Sequence, residues 1–146
     1  MITNNIGQEI HDLAKRLWPI NRSITGNGVR ATLKILKELN PKLSIHEVPS
    51  GTKVFDWTVP PEWHVNDAYI ITPSGKKICD FKNNNLYLLG YSTPIKKKIN
   101  LKDLQKNLYS IPEQPNAIPY ATSYYEERWG FCLPYNERVL LEDGDY

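Results

Sequence analysis

The sequence predicts an α+β protein in which an N-terminal helix pair is followed by a mostly antiparallel, β-rich region. Three observations support this fold class. Apolar residues recur at helical spacing as far as Leu39, and after Pro41 their period changes to two residues. Turn signals rich in proline, glycine and asparagine then separate several short β-branched and aromatic runs, as in strands that follow one another through hairpins.

The first helix is predicted from Asn5 to Leu17. Its apolar residues fall on one face: Ile6, Ile10, Leu13 and Leu17. Asn5 with Gln8 three residues later resembles a capping box, and Pro19 ends the helix because the residue before a proline avoids the α region.

The second helix is predicted from Gly28 to Leu39, with Asn40-Pro41 as its stop signal. Two helices cannot bury both of their apolar stripes against each other. We therefore expect these side chains to lie partly open or to be covered by another chain: Ile10, Val29, Leu33 and Leu36.

The β-rich region is predicted as a series of short strands. They cover residues 43–48, 52–59, 68–72, 76–81, 86–91, 120–132 and 139–141. Pro73-Ser74-Gly75 predicts a hairpin, and Asn100 is expected to cap a short helix from Leu101 to Leu108. The last apolar run leads into an Asp-Gly turn with no partner strand, so we expect this chain to be part of a longer one.

Composition excludes several classes of protein. A net charge of +2 gives no strong field for nucleic acid or an anionic membrane, and no apolar run approaches the roughly 20 residues of a membrane span. The N-terminus resembles no secretion signal, and Cys79 and Cys132 are too far apart for a metal knuckle. We expect a cytoplasmic protein with reduced thiols, without nucleic-acid or membrane partners.

The connection between the two helices, Trp18–Gly28, is unusually rich in polar side chains and glycines. It holds an amide, a guanidinium and hydroxyl groups on Asn21, Arg22, Ser23 and Thr25. Gly26 and Gly28 allow a sharp bend or a close backbone approach. Two interpretations stay open: a capped turn whose side chains satisfy the N–H groups of the second helix, or a loop that faces a ligand.

No catalytic or metal-binding set is assigned to this sequence. His11, His46 and His64 form no ligand pair at close spacing, whereas a zinc hydrolase needs several converging ligands. Cys132 follows an apolar run, which predicts an inert thiol. One aromatic set could stack on a sugar or pack in the core: Trp57, Trp63, Tyr124, Tyr125 and Trp129.

Several long motifs together resemble one family. They are Trp18–Gly26, His46–Gly51, Val54–Pro60, Glu62-Trp63, Asp67–Ile70, Gly90–Ser92, Ile118–Tyr120, Thr122–Tyr125 and Trp129–Cys132. The chain is similar along its whole length to a bacterial and archaeal group of aminopeptidase-like proteins that often accompany surface-polysaccharide biosynthesis genes. Tyr87 and His64 stand where many relatives have His and Asn, so neither is given a role.

The resemblance implies a zinc aminopeptidase-like α/β domain with a small inserted β-rich domain of unknown function. Residues 1–51 would begin the peptidase domain and residues 52–146 would be the insert. The zinc ligands would lie outside this chain, which would bind no cofactor and be inactive alone. Its expected partners are the remainder of the peptidase domain, a second copy of the chain, and a peptide or amide-containing small molecule in the full-length protein.

Within that resemblance, Asn21, Arg22 and Ser23 are the candidate substrate-binding residues. The guanidinium of Arg22 offers donors in a fork that matches a carboxylate, and Asn21 could orient it while Ser23 or Thr25 caps the second helix. The structural alternative is that Arg22 pairs with Asp56 or Glu62. The alternative function is a non-catalytic sugar- or protein-binding module that uses the aromatic residues of the β-rich domain.

Overall fold

The computed structural model describes residues 5–124 and 126–146, which form two compact units with the boundary between His64 and Val65. The first unit contains helices α1 (Ile6–Leu17) and α2 (Asn27–Leu39) and strands β1 (Lys53–Val54) and β2 (Trp57–Thr58). The second contains β3 (Ile70–Ile71), β4 (Lys77–Ile78), α3 (Leu101–Leu104), β5 (Leu108–Tyr109), β6 (Phe131–Cys132) and α4 (Tyr135–Arg138). Two short 3₁₀ turns cover Asn85–Tyr87 and Gln105–Asn107.

The predicted α+β class is confirmed, and so is the helix pair. Neither α1 nor α2 contains a buried residue, and Ile10 is 64% exposed, as expected from two amphipathic stripes without a partner. The predicted capping box at Asn5 is wrong, because no side chain caps α1 and Gln8 instead donates to Asp12 at 2.9 Å. An i,i+4 contact along the helix therefore replaces the cap.

The first unit contains less strand than the sequence predicted. Residues 43–48, all of them described, form no strand, since no neighbouring segment of the unit offers them a ladder of hydrogen bonds. The predicted strand 52–59 is instead a hairpin, in which Lys53 pairs with Thr58 and Val54 with Trp57. Its two-residue turn is Phe55-Asp56, where Phe55 has φ +54°. The β-branched and aromatic composition indicated strand, but gave no sign of this turn.

The second unit begins with the predicted hairpin. β3 and β4 pair antiparallel, Ile70 opposite Ile78, and Gly75 takes φ +82° in the turn between them. β5 and β6 pair in parallel, Leu108 opposite Phe131. Isolated bridges join Leu88 to Phe131 and Gly90 to Thr122. The described strands thus form three two-stranded sheets, two of them antiparallel.

Several predicted elements of the second unit are shorter than expected. Residues 86–91 contain a 3₁₀ turn and single bridges instead of a strand. Of the described residues in the aromatic run 120–132, only Phe131–Cys132 forms a strand. The helix capped by Asn100 ends at Leu104, although the cap is as predicted, with the Asp103 N–H donating to the Asn100 side chain. Residues 139–141 follow α4 as a turn and form no strand.

The hydrophobic core lies in the second unit. Its buried cluster is Ile70, Cys79, Leu104, Leu108, Phe131 and Leu133. Arg138 connects α4 to this core from the side, since its guanidinium donates to the Leu108 carbonyl at 2.8 Å and to the Gln105 carbonyl at 2.9 Å. Among the described residues, no helix has both the length and the apolar character needed to cross a membrane.

Candidate functional site

The candidate site is the connection between α1 and α2. Trp18 and Ile20 extend the hydrogen bonds of α1, donating to the carbonyls of Ala14 at 2.8 Å and Leu17 at 3.1 Å. The Arg22 guanidinium donates to the same Leu17 carbonyl at 2.8 Å. A cation at a helix C-terminus satisfies a free carbonyl and opposes the negative end of the helix dipole. One nitrogen of Arg22 is thus used to close α1.

The two glycines of the connection make its tight path possible. A Cβ on Gly28 would lie 1.8 Å from the Asn21 carbonyl oxygen, so only glycine fits there. Gly26 has φ +96°, and a Cβ on it would lie 2.7 Å from the Trp63 carbonyl oxygen. Both of the predicted roles of glycine are therefore present: a left-handed backbone at Gly26 and a close backbone approach at Gly28.

Ser23 and Thr25 bond within the loop. The Ser23 hydroxyl donates to the Thr25 carbonyl and accepts from the Thr25 N–H at 3.3 Å. The prediction that Ser23 or Thr25 caps the second helix is wrong, because the N-cap of α2 is Gly26 and no side chain caps it. The Thr25 hydroxyl oxygen is buried and has no hydrogen-bond partner in the described part of the chain.

Arg30, on the first turns of α2, forms the Arg30 cluster with Glu62, Glu47 and Asn27. Its two terminal nitrogens contact the two carboxylate oxygens of Glu62, one at 3.0 Å. Its Nε lies 3.6 Å from Glu47, and one terminal nitrogen lies 3.3 Å from the Asn27 side chain. The hydrogen bond to Arg30 lowers the pKa of the Glu62 carboxyl, and that with Glu62 raises the pKa of Arg30.

The structural alternative, in which Arg22 pairs with Asp56 or Glu62, is therefore wrong, because the arginine that pairs with Glu62 is Arg30. Arg30 forms the bidentate pair with Glu62, and no ion pair joins Arg22 to Asp56 among the described residues. The Arg30 cluster fixes residue 62 while Gly26 abuts the carbonyl of Trp63. The sequence did contain one sign of this pair: an arginine early in a helix can bind an acidic residue of a segment that packs against the helix. It did not identify Glu62 as that residue, because Glu62 is 32 positions away.

The three predicted substrate-binding residues share this loop but differ in accessibility. Arg22 is exposed, and Asn21 and Ser23 are half-buried. Beyond the Leu17 carbonyl, the guanidinium of Arg22 has no further hydrogen-bond partner in the described ranges, so most of its donors are available. The loop thus presents a cationic fork beside an amide, and the role of these residues in substrate binding stays a prediction.

The other candidate groups form no reactive set. His11, His46 and His64 are exposed, and no group of three His, Cys, Asp or Glu side chains in residues 5–124 and 126–146 could hold a metal ion. These residues therefore do not fit a zinc centre. Burial raises the pKa of the Cys132 thiol to about 11 and that of Cys79 to about 12, which keeps both protonated at neutral pH.

The aromatic set is divided between the two units. Trp57 and Trp63 belong to the first, Tyr124 and Trp129 to the second, and Tyr125 lies outside the described residues. Tyr124 is 78% exposed with φ +50°, whereas Trp129 packs against the core with Lys97 5.1 Å above its ring.

Lys97 and Lys98, from the run of three lysines at 96–98, line a groove of about 530 Å³ in the second unit. Two of its three lysines are paired within the groove, since Lys98 lies 3.0 Å from Asp145 and Lys106 lies 2.6 Å from Asp103, while Lys97 lies over the Trp129 ring. Paired surface charges of this kind do not create an anion site.

Comparisons with known proteins match this chain closely. The family described as "Domain of unknown function (DUF2172)" matches residues 62–146. A Clostridium acetobutylicum protein named "Putative polysaccharide biosynthesis protein with aminopeptidase-like domain" is 51% identical over 144 residues, which cover 99% of this chain and 33% of that protein. A solved structure, titled as that of a "putative peptidase" from Clostridium acetobutylicum, has 53% identity and a TM-score of 0.92. The structural match covers 96% of this chain and 33% of the solved chain.

Proposed function

The chain belongs to the DUF2172 family, and from this premise we propose that it is the N-terminal part of a zinc-dependent, aminopeptidase-like hydrolase linked to surface-polysaccharide biosynthesis. The catalytic centre would lie in the remaining polypeptide, and the present chain would be inactive alone. The observation that carries this proposal is the 51% identity to a protein named for an aminopeptidase-like domain, of which this chain spans 33%. Identity at this level over nearly the whole chain supports a common architecture.

Zinc is proposed for the remainder of the protein and not for these residues. The described residues contain no cluster of potential ligands, so no step of a metal-assisted hydrolysis is assigned to them. The contribution proposed for this chain is to bind substrate. Arg22, with most of its donors available, would hold a carboxylate or carbonyl oxygen of a peptide or amide substrate, and Asn21 and Ser23 would line the same loop.

The experiment compares the full-length gene product with the 146-residue chain. Both are purified, analysed for metal, and assayed against a panel of aminoacyl p-nitroanilides before and after chelation. We expect stoichiometric zinc and chelator-sensitive hydrolysis in the full-length protein, and neither in the short chain. A full-length protein that binds no metal and hydrolyses none of the panel would contradict the proposal, as would zinc-dependent turnover by the short chain.

A second candidate function is a sugar- or protein-binding module in the second unit. The observation that favours it is the exposure of two aromatic side chains, Tyr120 at 79% and Tyr124 at 78%. Exposed tyrosines can stack on sugar rings or fill pockets of a partner protein. Titration of the chain with amino sugars and short peptides, followed by NMR, tests it. Saturable shifts at these tyrosines without turnover would favour a module.

A further inference from the structure

We propose that the tip of the β1–β2 hairpin is a docking element, and that Phe55 inserts into an apolar pocket of the polypeptide outside these 146 residues. The hairpin tip is defined as Val54, Phe55 and Trp57. Nothing in the names of the relatives assigns it a role. The proposal depends on one part of the proposed function, that the chain belongs to a longer polypeptide, and not on hydrolysis or zinc.

The backbone of the hairpin tip is strained. The turn has only two residues between the paired positions Val54 and Trp57, and its first residue, Phe55, has φ +54°. Glycine is usual at such turn positions because it has no Cβ to meet the neighbouring carbonyl in the left-handed region. Asparagine and aspartate are tolerated there because their short polar side chains can hydrogen-bond locally. A bulky aromatic residue there is a true outlier, and outliers of this kind are concentrated at functional sites.

The strained residue is also fully exposed. Phe55 has a relative exposure of 101%, beside Trp57 at 45% and Val54 at 36%. The base of the hairpin is ordered by backbone hydrogen bonds, with the Val59 N–H donating to Thr52 at 2.9 Å and the Gly51 N–H donating to Val59 at 2.8 Å. A rigid base therefore holds an aromatic ring in water, which is the arrangement of an interface anchor.

The first unit itself offers Phe55 no pocket. Its ring is fully exposed, so it occupies no pocket formed by the described residues of this unit. The related Clostridium acetobutylicum protein is about three times as long as the matched segment. A protein organised like this relative, which is 51% identical over that segment, would contain such additional polypeptide, and we assign that polypeptide as the occupant.

Hydroxyl-radical footprinting of the full-length protein tests the proposal directly. The oxidation rate of Phe55, corrected for intrinsic reactivity, is compared with that of Leu140, a hydrophobic residue that is 77% exposed and lies outside the hairpin tip. We expect Phe55 to react about tenfold more slowly in the full-length protein than in the 146-residue chain, with the rate at Leu140 alike in both. Equal rates at Phe55 would overturn the proposal. Protection that disappears on dilution to a monomer would instead identify a second copy as the occupant and would also overturn it.

Substitutions in the full-length protein provide a second measurement. Phe55→Asn removes the ring but tolerates the left-handed backbone, and Leu140→Asn, at another exposed hydrophobic residue, is the control. We expect protease cleavage within residues 50–60 to accelerate about tenfold for Phe55→Asn and to stay unchanged for the control. Phe55→Leu should restore most of the protection. Cleavage at the wild-type rate in Phe55→Asn would count against docking, whether or not the protein hydrolyses any substrate.

Discussion

The two units of this chain are organised by different interactions. The second unit, residues 65–146, contains eight of the nine buried hydrophobic side chains among the described residues, whereas the first contains only Val59. The first unit is held by polar contacts and close backbone approaches: the Arg30 cluster, the Arg22 bond to Leu17, and the glycines of the loop. The comparison teaches that the second unit has the core of a domain, while the first has surfaces suited to covering by a partner.

The largest expected effect comes from a pair of leucines in helices of the two units. Leu104 in α3 is 2% exposed, and Leu39 at the end of α2 is 60% exposed. We expect Leu104→Ala to lower the free energy of unfolding of the second unit by about 2–5 kcal/mol. Leu39→Ala should change stability by less than about 0.5 kcal/mol in this chain. Urea unfolding measures both, and equal losses would break the comparison between the units.

Two glycines test how the first unit is held together. Gly28→Ala forces a Cβ against the Asn21 carbonyl. We expect it to lower the free energy of unfolding by about 1–3 kcal/mol and to disrupt the loop. Gly7→Ala in α1 meets no atom within 4 Å and should stabilise the helix by about 0.5–1 kcal/mol. Amide hydrogen exchange of residues 18–30 reports the difference. If exchange is unaltered in Gly28→Ala, the close approach does not exist in solution.

Arg22→Lys tests whether Arg22, in the exposed loop of the first unit, binds substrate or only stabilises the loop. Lysine keeps the charge but loses the bidentate geometry. For the hydrolase activity proposed for the full-length protein we expect kcat/KM to fall about tenfold with no change in melting temperature, since the one bond to Leu17 lies at the surface. A lower melting temperature with normal turnover per folded molecule would assign Arg22 to the structure of the loop.

The smallest expected effect is the pH dependence of the Arg30 cluster. Hydrogen bonding to Arg30 lowers the pKa of Glu62 below its ordinary value of 4.5. The pair therefore stabilises the fold fully above that ordinary value and loses its contribution as the pH falls through the lowered pKa. An NMR titration of the Glu62 carboxyl should give the lowered pKa, with a parallel change at the Gly26 amide. The change at the Gly26 amide should be absent in Glu62→Gln. If it persists in that variant, the conformation of the loop does not depend on the Arg30 cluster.

The sequence predicted most accurately what local periodicity determines. Both helices of the first unit and the hairpin around Ser74 follow from apolar spacing and turn residues within a dozen positions. It failed where pairing depends on distant residues: 43–48 alternates like a strand but has no ladder partner in the described chain, and residues 86–91 make isolated bridges to segments more than 30 positions away. Local propensity cannot choose between such outcomes, because tertiary pairing decides them.

The candidate site likewise has features that the sequence predicted and one that it did not. The tight loop and its two glycines were predictable from composition, since Gly26 and Gly28 have few other uses between two helices. The choice of Arg30 over Arg22 as the partner of Glu62 was not, because Glu62 lies 32 positions after Arg30 and local sequence does not show which arginine the fold brings close to it.

The parallel pairing of β5 with β6 has a consequence for the time course of folding. Contacts that close the second unit join residues far apart in sequence, such as Ser110 with Leu133 at 23 positions and Ser92 with Gly130 at 38. Loop closure over such separations slows folding towards milliseconds or longer, whereas helices like α1 and α2 form in about a microsecond. The two amphipathic helices therefore leave the ribosome before the stable core exists, and at 12 and 13 residues they are only marginally stable until their apolar faces are covered. During that interval their apolar faces are open to chaperones and to aggregation, so the earliest structure in this chain is also its most vulnerable.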